Sequence, residues 1–316
     1  MQRNSYCQGI NYRNIEVHPM NADMPAEDAV RIMALEILNI VESYVDGTVN
    51  DLDAEFLHQY RVNFRKLRSL ISLLKTTLPE KTMALLKARF SLVFRRTNVL
   101  RNLDVFLLEE ERYREMLPEG FKDGLSELYT LIRKQRKEEQ RKVARYFSSR
   151  SYALDIAACS KKLSAPPVYE TRSAAKPILK VVKKLLLNRY QKILKISAGI
   201  NAGSADSDIH GLRIEFKKFR YLIDLFSGFF PKKRLSGLME NVKKIQTVLG
   251  DFNDYSTQIM LLKEYVDDSR LEMSKSLCGL IAVLHQKQTK EKKKVGAALE
   301  RFFTKKMSGE IDFIFG

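Results

Sequence analysis

The sequence contains no tryptophan, and in 316 residues it has only three cysteines, 14 glycines and eight prolines. Cys7, Cys159 and Cys278 are far apart, odd in number and form no CxxC pair. A disulfide framework or a zinc ribbon is therefore not expected, and a reducing compartment is. Scarce glycine and proline argue against a β-sandwich with its many tight turns. Apolar stretches, such as that around 184–187, are broken by lysines long before the ~20 residues a membrane span needs. The opening MQRNSYCQGINYRNIEVHPM holds no apolar core of signal-peptide length, so secretion is not expected either. No P-loop and no pairing of a nucleophile with a base can be read along the chain, so no catalytic residues are assigned.

What is present is helical and basic. The hydrophobic share of 45% is enough for a sizeable core, and Leu, Lys, Glu, Arg and Ala dominate. Lys and Arg number 55 against 38 Asp and Glu, a formal net charge of +17. An excess this large repels itself and invites a polyanionic partner. Nucleic acid, an anionic membrane surface and a phosphate-rich polymer all satisfy that requirement.

Helical periodicity and breakers organise the chain. Residues 1–24 show no clear period and read as an extension, with Asp23 a candidate helix cap. Helices are expected over 29–44, 53–75, 80–117 with a kink near Asn102, and 121–147, followed by a shorter piece. Ser164-Ala-Pro-Pro167 reads as a linker. Beyond it, helices are expected over 174–200, 209–230, 232–266 with a break near Gly250, and 271–306. The expected division is a first four-helix unit at 25–165, a second at 168–306, and a C-terminal tail at 307–316.

The two halves align as an internal repeat. HQYRVNFRKLRSLISLL, starting at His58, lies without a gap on HGLRIEFKKFRYLIDLF, starting at His210, with eight of 17 positions identical at an offset of 152. Leu103-Asp104-Val105 falls opposite Asn253-Asp254-Tyr255 at an offset of 150. At ~100° per residue, His58, Arg61, Arg65 and Arg68 occupy an arc of about 80° and a length of about 15 Å. Tyr60, Phe64, Leu67, Ile71 and Leu74 cluster on a separate face. His210, Arg213, Lys217 and Arg220 repeat the row in the second copy, while Lys66 and Lys218 lie to its other side.

Like charges three and four residues apart destabilise a helix by a few tenths of a kcal/mol each, a cost that a bound anion would offset. Guanidinium groups suit phosphate oxygens because they bind them bidentately. The histidines have no Cys or i+4 His partner for zinc and no nucleophile to activate, so a phosphate-facing donor role fits best. In the third helices, Arg95, Arg96 and Arg101 precede Asp104, and Lys243 and Lys244 precede Asp251 and Asp254. Those acids are expected to pair with the cations and orient them; the alternative, a Mg²⁺ site, is less favoured. No metal or cofactor is expected.

The HxxRVxxRKLR run at His58, its counterpart HxLRIxxKKFRY at His210, RNLDV at Arg101 and LGDFND at Leu249 together resemble the CHAD domain, the conserved histidine α-helical domain. The resemblance spans residues 26 to 306. It implies an all-α fold of two pseudo-symmetric four-helix bundles facing each other across a basic cavity. It also implies binding of inorganic polyphosphate and association with polyphosphate granules or, for some members, polyhydroxyalkanoate granules; with the absence of catalytic motifs and of a signal peptide, a cytoplasmic, non-enzymatic module is expected. Carried over by residue, the phosphate-facing set is His58, Arg61, Arg65 and Arg68 with His210, Arg213, Lys217 and Arg220. Lys66, Lys218, Arg95, Arg96, Arg101, Lys243 and Lys244 are weaker members. The family's RDLDV reads RNLDV here, which puts a metal role for that corner in doubt. The ExExK signature of the triphosphate tunnel domain that many relatives carry is absent from 1–25. Nucleic-acid binding, an enzyme acting on polyphosphate or a nucleotide, and a granule-adaptor role are the rival readings.

Overall fold

The computed structural model describes residues 21–201, 203–266 and 271–316. Among them the chain is all-α, with a single isolated antiparallel bridge between Pro25 and Pro177 as its one β-type pairing. In chain order the helices are α1 (Ala26–Glu42), α2 (Val45–Val49), α3 (Ala54–Leu73), α4 (Glu80–Arg95), α5 (Asn98–Leu108), α6 (Glu110–Met116) and α7 (Lys122–Phe147). They continue with α8 (Arg150–Leu163), α9 (Ile178–Ser197), α10 (Asp206–Leu225), α11 (Lys232–Val266), α12 (Leu271–Phe302) and α13 (Lys305–Phe315). The repeat is visible in their bounds. Helices α1, α3 and α4 begin at 26, 54 and 80, and α9, α10 and α11 begin at 178, 206 and 232, a constant spacing of 152.

The chain divides into two compact units. The first comprises residues up to Thr97 together with Val143–Ile178, and the second comprises Asn98–Lys142 with Leu179–Gly316. In the first unit α1 and α4 each pack on both α3 and α8, which closes a four-helix bundle. Its core is filled by Met33, Ile37, Tyr60, Phe64 and Phe90, all essentially without exposure. Phe64 and Phe90 meet edge to face at 5.5 Å. Gly47 in α2 admits the Phe56 ring, since a Cβ there would lie 2.0 Å from it.

The first turn of α1 shows why Asp23 does not act as its cap. The N–H groups of Ala26 and Glu27 donate to the carbonyls of Lys176 and Ala174 at 2.9 and 3.0 Å, and Ile178 N–H returns the bond to Met24. The orphan donors of the helix are thus satisfied by the segment that leads into α9. Glu27, fully buried, pairs with Arg31 at 2.6 Å and also accepts from the Tyr169 N–H at 2.9 Å. The stretch after Pro167 is in this way fastened to the first bundle.

The second unit holds two packed regions. At one end α5–α7 lay Leu103, Phe106, Tyr113, Leu128, Tyr129 and Ile132 against Ile259, Leu262, Leu277, Leu280 and Leu284 of α11 and α12. This shared apolar cluster is why residues 98–142 belong with the second half, and why the division differs from a cut at the 164–167 linker. At the other end aromatic contacts join α9, α10, α12 and α13. Tyr190 lies 6.4 Å from Phe219, Phe216 lies 5.2 Å from Phe302, and Phe315 lies 6.2 and 5.1 Å from Phe219 and Phe230.

Three boundaries correct the sequence expectations. The 80–117 stretch is interrupted at Arg96–Thr97, and again between α5 and α6, where a kink near Asn102 was expected. Helix α11 runs unbroken through Gly250. Residues 307–316 are no tail: they belong to α13, capped by Thr304, whose side chain accepts from the Met307 N–H, and Ile311, Ile314 and Phe315 are buried. Of the 1–24 extension, residues 1–20 lie outside the described residues.

Phe315 fills the core, whereas Phe313, 65% exposed, carries only the Arg234 guanidinium 4.2 Å from its ring centroid. Phe315→Ala is expected to cost about 3–5 kcal/mol of stability. Phe313→Ala should cost less than about 1 kcal/mol. Chemical unfolding of the two variants separates these values, and equal losses would mean that α13 is not docked as described.

Candidate functional site

Helix α3 starts where Asp53 accepts the Glu55 N–H at 2.8 Å, and it buries Tyr60, Phe64, Leu67 and Ile71. That face fixes the helix rotation and leaves the cationic row on its flank. Arg61 is itself nearly buried. Its Nη1 donates to Thr97 Oγ1 at 2.6 Å and to the Phe94 carbonyl at 3.5 Å, with the guanidinium carbon 4.3 Å from the Phe94 ring centroid. Arg68 lies over the same ring at 4.8 Å and reaches Ser91 Oγ at 3.4 Å. Partial burial pulls the Arg68 pKa down from the ordinary guanidinium value, as expected for a cation held partly out of water. Arg65 is half-buried, and its Nε is enclosed without a hydrogen-bond acceptor. His58 and Lys66 are also half-buried.

Helix α10 builds the second row with different partners. Its buried face is Leu212, Phe216, Phe219 and Ile223. The exposed His210 contacts Asn253 Oδ1 through Nδ1 at 2.7 Å. That contact requires a proton on Nδ1, so the neutral ring offers only an acceptor at Nε2, and the imidazolium alone can donate there. Arg213 Nη2 lies 3.5 Å from Asp254 Oδ1. Arg220 donates to Gln246 Oε1 at 2.9 Å and pairs through Nε with Asp224 at 3.3 Å. Gln246 is fixed in turn, because its amide donates to the Phe216 carbonyl at 2.8 Å. Lys217 is half-buried.

Lys218 turns away from the row to Glu215, at 3.0 Å. Glu215 is buried and also receives Arg189 and, at 3.1 Å, Lys192. Burial pushes its carboxyl pKa up, but the hydrogen bonds from Lys218, Arg189 and Lys192 outweigh this and hold it below the usual value.

The remaining candidates are dispersed. Arg95 and Arg96 are exposed, and Arg96 lies 5.5 Å from the centroid of the Tyr146 ring. Arg101 is half-buried; Lys243 and Lys244 are exposed, and Lys244 pairs with Glu240 at 2.6 Å. The buried Asp104 is held by Arg136 Nε at 3.0 Å. The carboxyl of Asp251 has its pKa raised by partial burial and by the neighbouring Glu291 and Asp254. Among the described residues no three His, Cys, Asp or Glu side chains converge to hold a metal ion.

Sequence reasoning did not find Phe94, Gln246, Asn253, Glu215 or Arg136 as partners of these charges. Glu215 could have been noticed as an acid two residues beyond Arg213 in the aligned segment, and Arg136 sits in the charged 133–145 run. Phe94 carries no sequence signal, because only the α3–α4 packing brings its ring beneath two guanidinium groups.

The fold and these rows define a class: an all-α protein with an internal helical repeat, each copy bearing a flank of cations beside a buried apolar face. Residues 33–263 match the CHAD domain, and the chain belongs to that family. It is similar in structure to the CHAD domain from the plant Ricinus communis, at 20% identity and a TM-score of 0.73, covering 90% of this chain and 95% of the other. It is also similar to PptA from Streptomyces chartreusis, at 13% identity and a TM-score of 0.65, covering 87% and 99%. No curated protein sequence matches.

The Glu215 cluster makes a pH prediction. Its pKa is depressed on folding, so its pairings stabilise the protein fully above the ordinary glutamate value of 4.5, and that stability is lost as pH falls through the lowered folded value. Glu215→Gln should cost about 2 kcal/mol at neutral pH. The gap between variant and wild type should narrow in unfolding titrations below about pH 4.5. A gap that stays constant with pH would refute the role of the charge.

Proposed function

We propose that this chain binds inorganic polyphosphate, without catalysing a reaction on it, through the cationic rows of α3 and α10. One observation carries the reading. Two helices with identical bounds at a spacing of 152 each bear His, then cations three, seven and ten residues on, beside a fully buried apolar face. A net charge of +17, an Arg65 Nε enclosed without an acceptor and membership of the CHAD family support the same conclusion. In this mechanism each row engages successive phosphate units and releases their counterions, so affinity falls steeply with salt.

Nucleic acid is the less favoured partner. Binders of single strands add exposed aromatic platforms, whereas Tyr60, Phe64, Phe216 and Phe219 are fully buried here. Among the described residues no helix is long and apolar enough to cross a membrane. We place the protein in the cytoplasm, in association with polyphosphate granules.

Titration with polyphosphate of defined length at two salt concentrations, with RNA and free phosphate as competitors, tests the proposal. Tight, salt-sensitive binding that neither competitor displaces is the expected result. Combined Arg65→Ala, Arg68→Ala, Lys217→Ala and Arg220→Ala should weaken it by at least about a hundredfold, through loss of four charge contacts at once. Unchanged affinity in that variant would refute the site. Phosphate release from polyphosphate with Mg²⁺ present would refute the non-catalytic part.

A further inference from the structure

We infer that Asn253 makes His210 a proton-gated phosphate contact by holding its ring in the Nδ1–H tautomer. The neutral ring then turns a lone pair towards an anion, and only the imidazolium donates to one. Binding of a polyanion at the α10 row is thereby coupled to uptake of a proton. This inference rests on the proposed binding function and deepens it.

The tautomer follows from a chain of hydrogen bonds. Thr257 Oγ1 donates its one proton to the Asn253 backbone carbonyl at 3.0 Å. It can then only accept, and the Asn253 side-chain Nδ2 donates to it at 3.4 Å. This sets Asn253 Oδ1 towards the ring, 2.7 Å from His210 Nδ1. An amide oxygen only accepts, so the proton sits on Nδ1. Flipping the amide would instead face Oδ1 against Thr257 Oγ1 with no proton between them. His210 is exposed, and among the described residues its Nε2 has no protein partner. In the neutral ring Nε2 is therefore a bare acceptor, which a phosphate oxygen avoids.

The charged groups around His210 already have partners. On α10, Asp206 stands about one turn before the ring, and Arg213 and Lys217 follow one and two turns after it. Asp206 is held from α12 by Lys292 at 2.8 Å and by the buried Gln288 at 3.0 Å. On α11, Asp254 lies 3.5 Å from Arg213, and Asp251 has Glu291, Arg112 and Lys294 as charged neighbours. None of these carboxylates pairs with His210, so an imidazolium there gains a bonded counter-charge when an anion arrives. Phosphate and proton then each favour the binding of the other. Histidine changes its charge between about pH 5 and 8, which sets the range of the coupling. Asn253 itself is not repeated: at the 150 offset it falls opposite Leu103, which has no amide to offer.

The tautomer is tested first, without ligand. Nitrogen NMR of the histidine rings at about pH 8 should show His210 protonated on Nδ1, and Asn253→Ala should release it to a mixture. Calorimetric titration with long-chain polyphosphate, whose internal units stay charged throughout, then tests the coupling. Lowering the pH from about 8 to about 6 should tighten wild-type binding three- to fivefold more than that of His210→Gln, about the range of one exposed charge contact. At a single pH, buffers of different ionisation heat should show that the wild type takes up more protons on binding than His210→Gln does. Asn253→Ala, whose neutral ring can donate from Nε2, should have a flatter pH profile than the wild type. An Nε2–H tautomer in the wild type, or identical pH profiles for wild type and His210→Gln, would overturn the inference while leaving polyphosphate binding intact. Failure of the wild-type protein to bind polyphosphate at either pH would instead overturn the functional reading, and this inference with it.

Discussion

Arginines placed three and four residues apart on one helix face repel each other, and in water each would swing out to its own hydration shell. Keeping them in a row requires that the protein hold the guanidinium groups while leaving their charge available. Helix α3 does this with aromatic and hydroxyl partners. The Phe94 ring lies under Arg61 and Arg68, Thr97 and Ser91 take single N–H bonds, and the apolar face behind the row is sealed. At Arg68 the ring and the hydroxyl orient the cation without cancelling it. Helix α10 does it instead with amides and carboxylates, through Gln246, Asn253, Asp224 and Asp254. These partners orient as well, but the carboxylates also neutralise.

How much of this could be read from the chain depends on the range of the interaction. Helices whose starts follow local signals were legible, and Asp53 is the capping residue where α3 was expected to begin. The register of the repeat was legible too, because eight identities in 17 residues fix an offset that the helix starts at 26, 54 and 80 against 178, 206 and 232 then follow. Failures occurred where tertiary contacts decide. Asp23 looked like a cap, but the carbonyls of Ala174 and Lys176 satisfied the same donors first. Gly250 looked like a break, but the apolar register of α11 runs straight through it from Leu249 to Phe252. The repeat could have revealed α13, since α8 begins at 150 and its counterpart is due near 302. The weakness of identity there concealed it.

The site divides along the same line. Which residues form the rows was legible, because helical spacing alone sets their direction. What each cation touches was not. The 133–145 run is dense in alternating charge and carries no mark of a buried role, yet its Arg136 holds the buried Asp104. Glu215 sits inside the aligned segment, yet only α9 packing brings Arg189 and Lys192 to it and turns Lys218 off the row. Lys218 and Lys66 share a register, but the first copy has Asn63 where the second has Glu215, and the Asn63 amide donates to its own helix at the Gln59 carbonyl.

A two-residue difference between the copies accounts for the helix end that Arg61 meets. The path from Glu80 to Asp104 is two residues longer than that from Lys232 to Asp254. Two extra residues rotate a helix by about 200°, which no continuous helix can absorb while keeping its apolar face inward. The first copy therefore breaks at Arg96–Thr97, and α4 ends with carbonyls that lack intrahelical partners. Arg61 fits that end: its guanidinium reaches the Phe94 carbonyl and Thr97 Oγ1, a cation at a helix C-terminus where the backbone dipole favours it. The second copy has no break, so α11 offers no exposed carbonyls at that level, and Arg213 turns to the side chain of Asp254. Arg61 thus closes a helix end that exists because of a length difference some thirty residues away on the neighbouring helix.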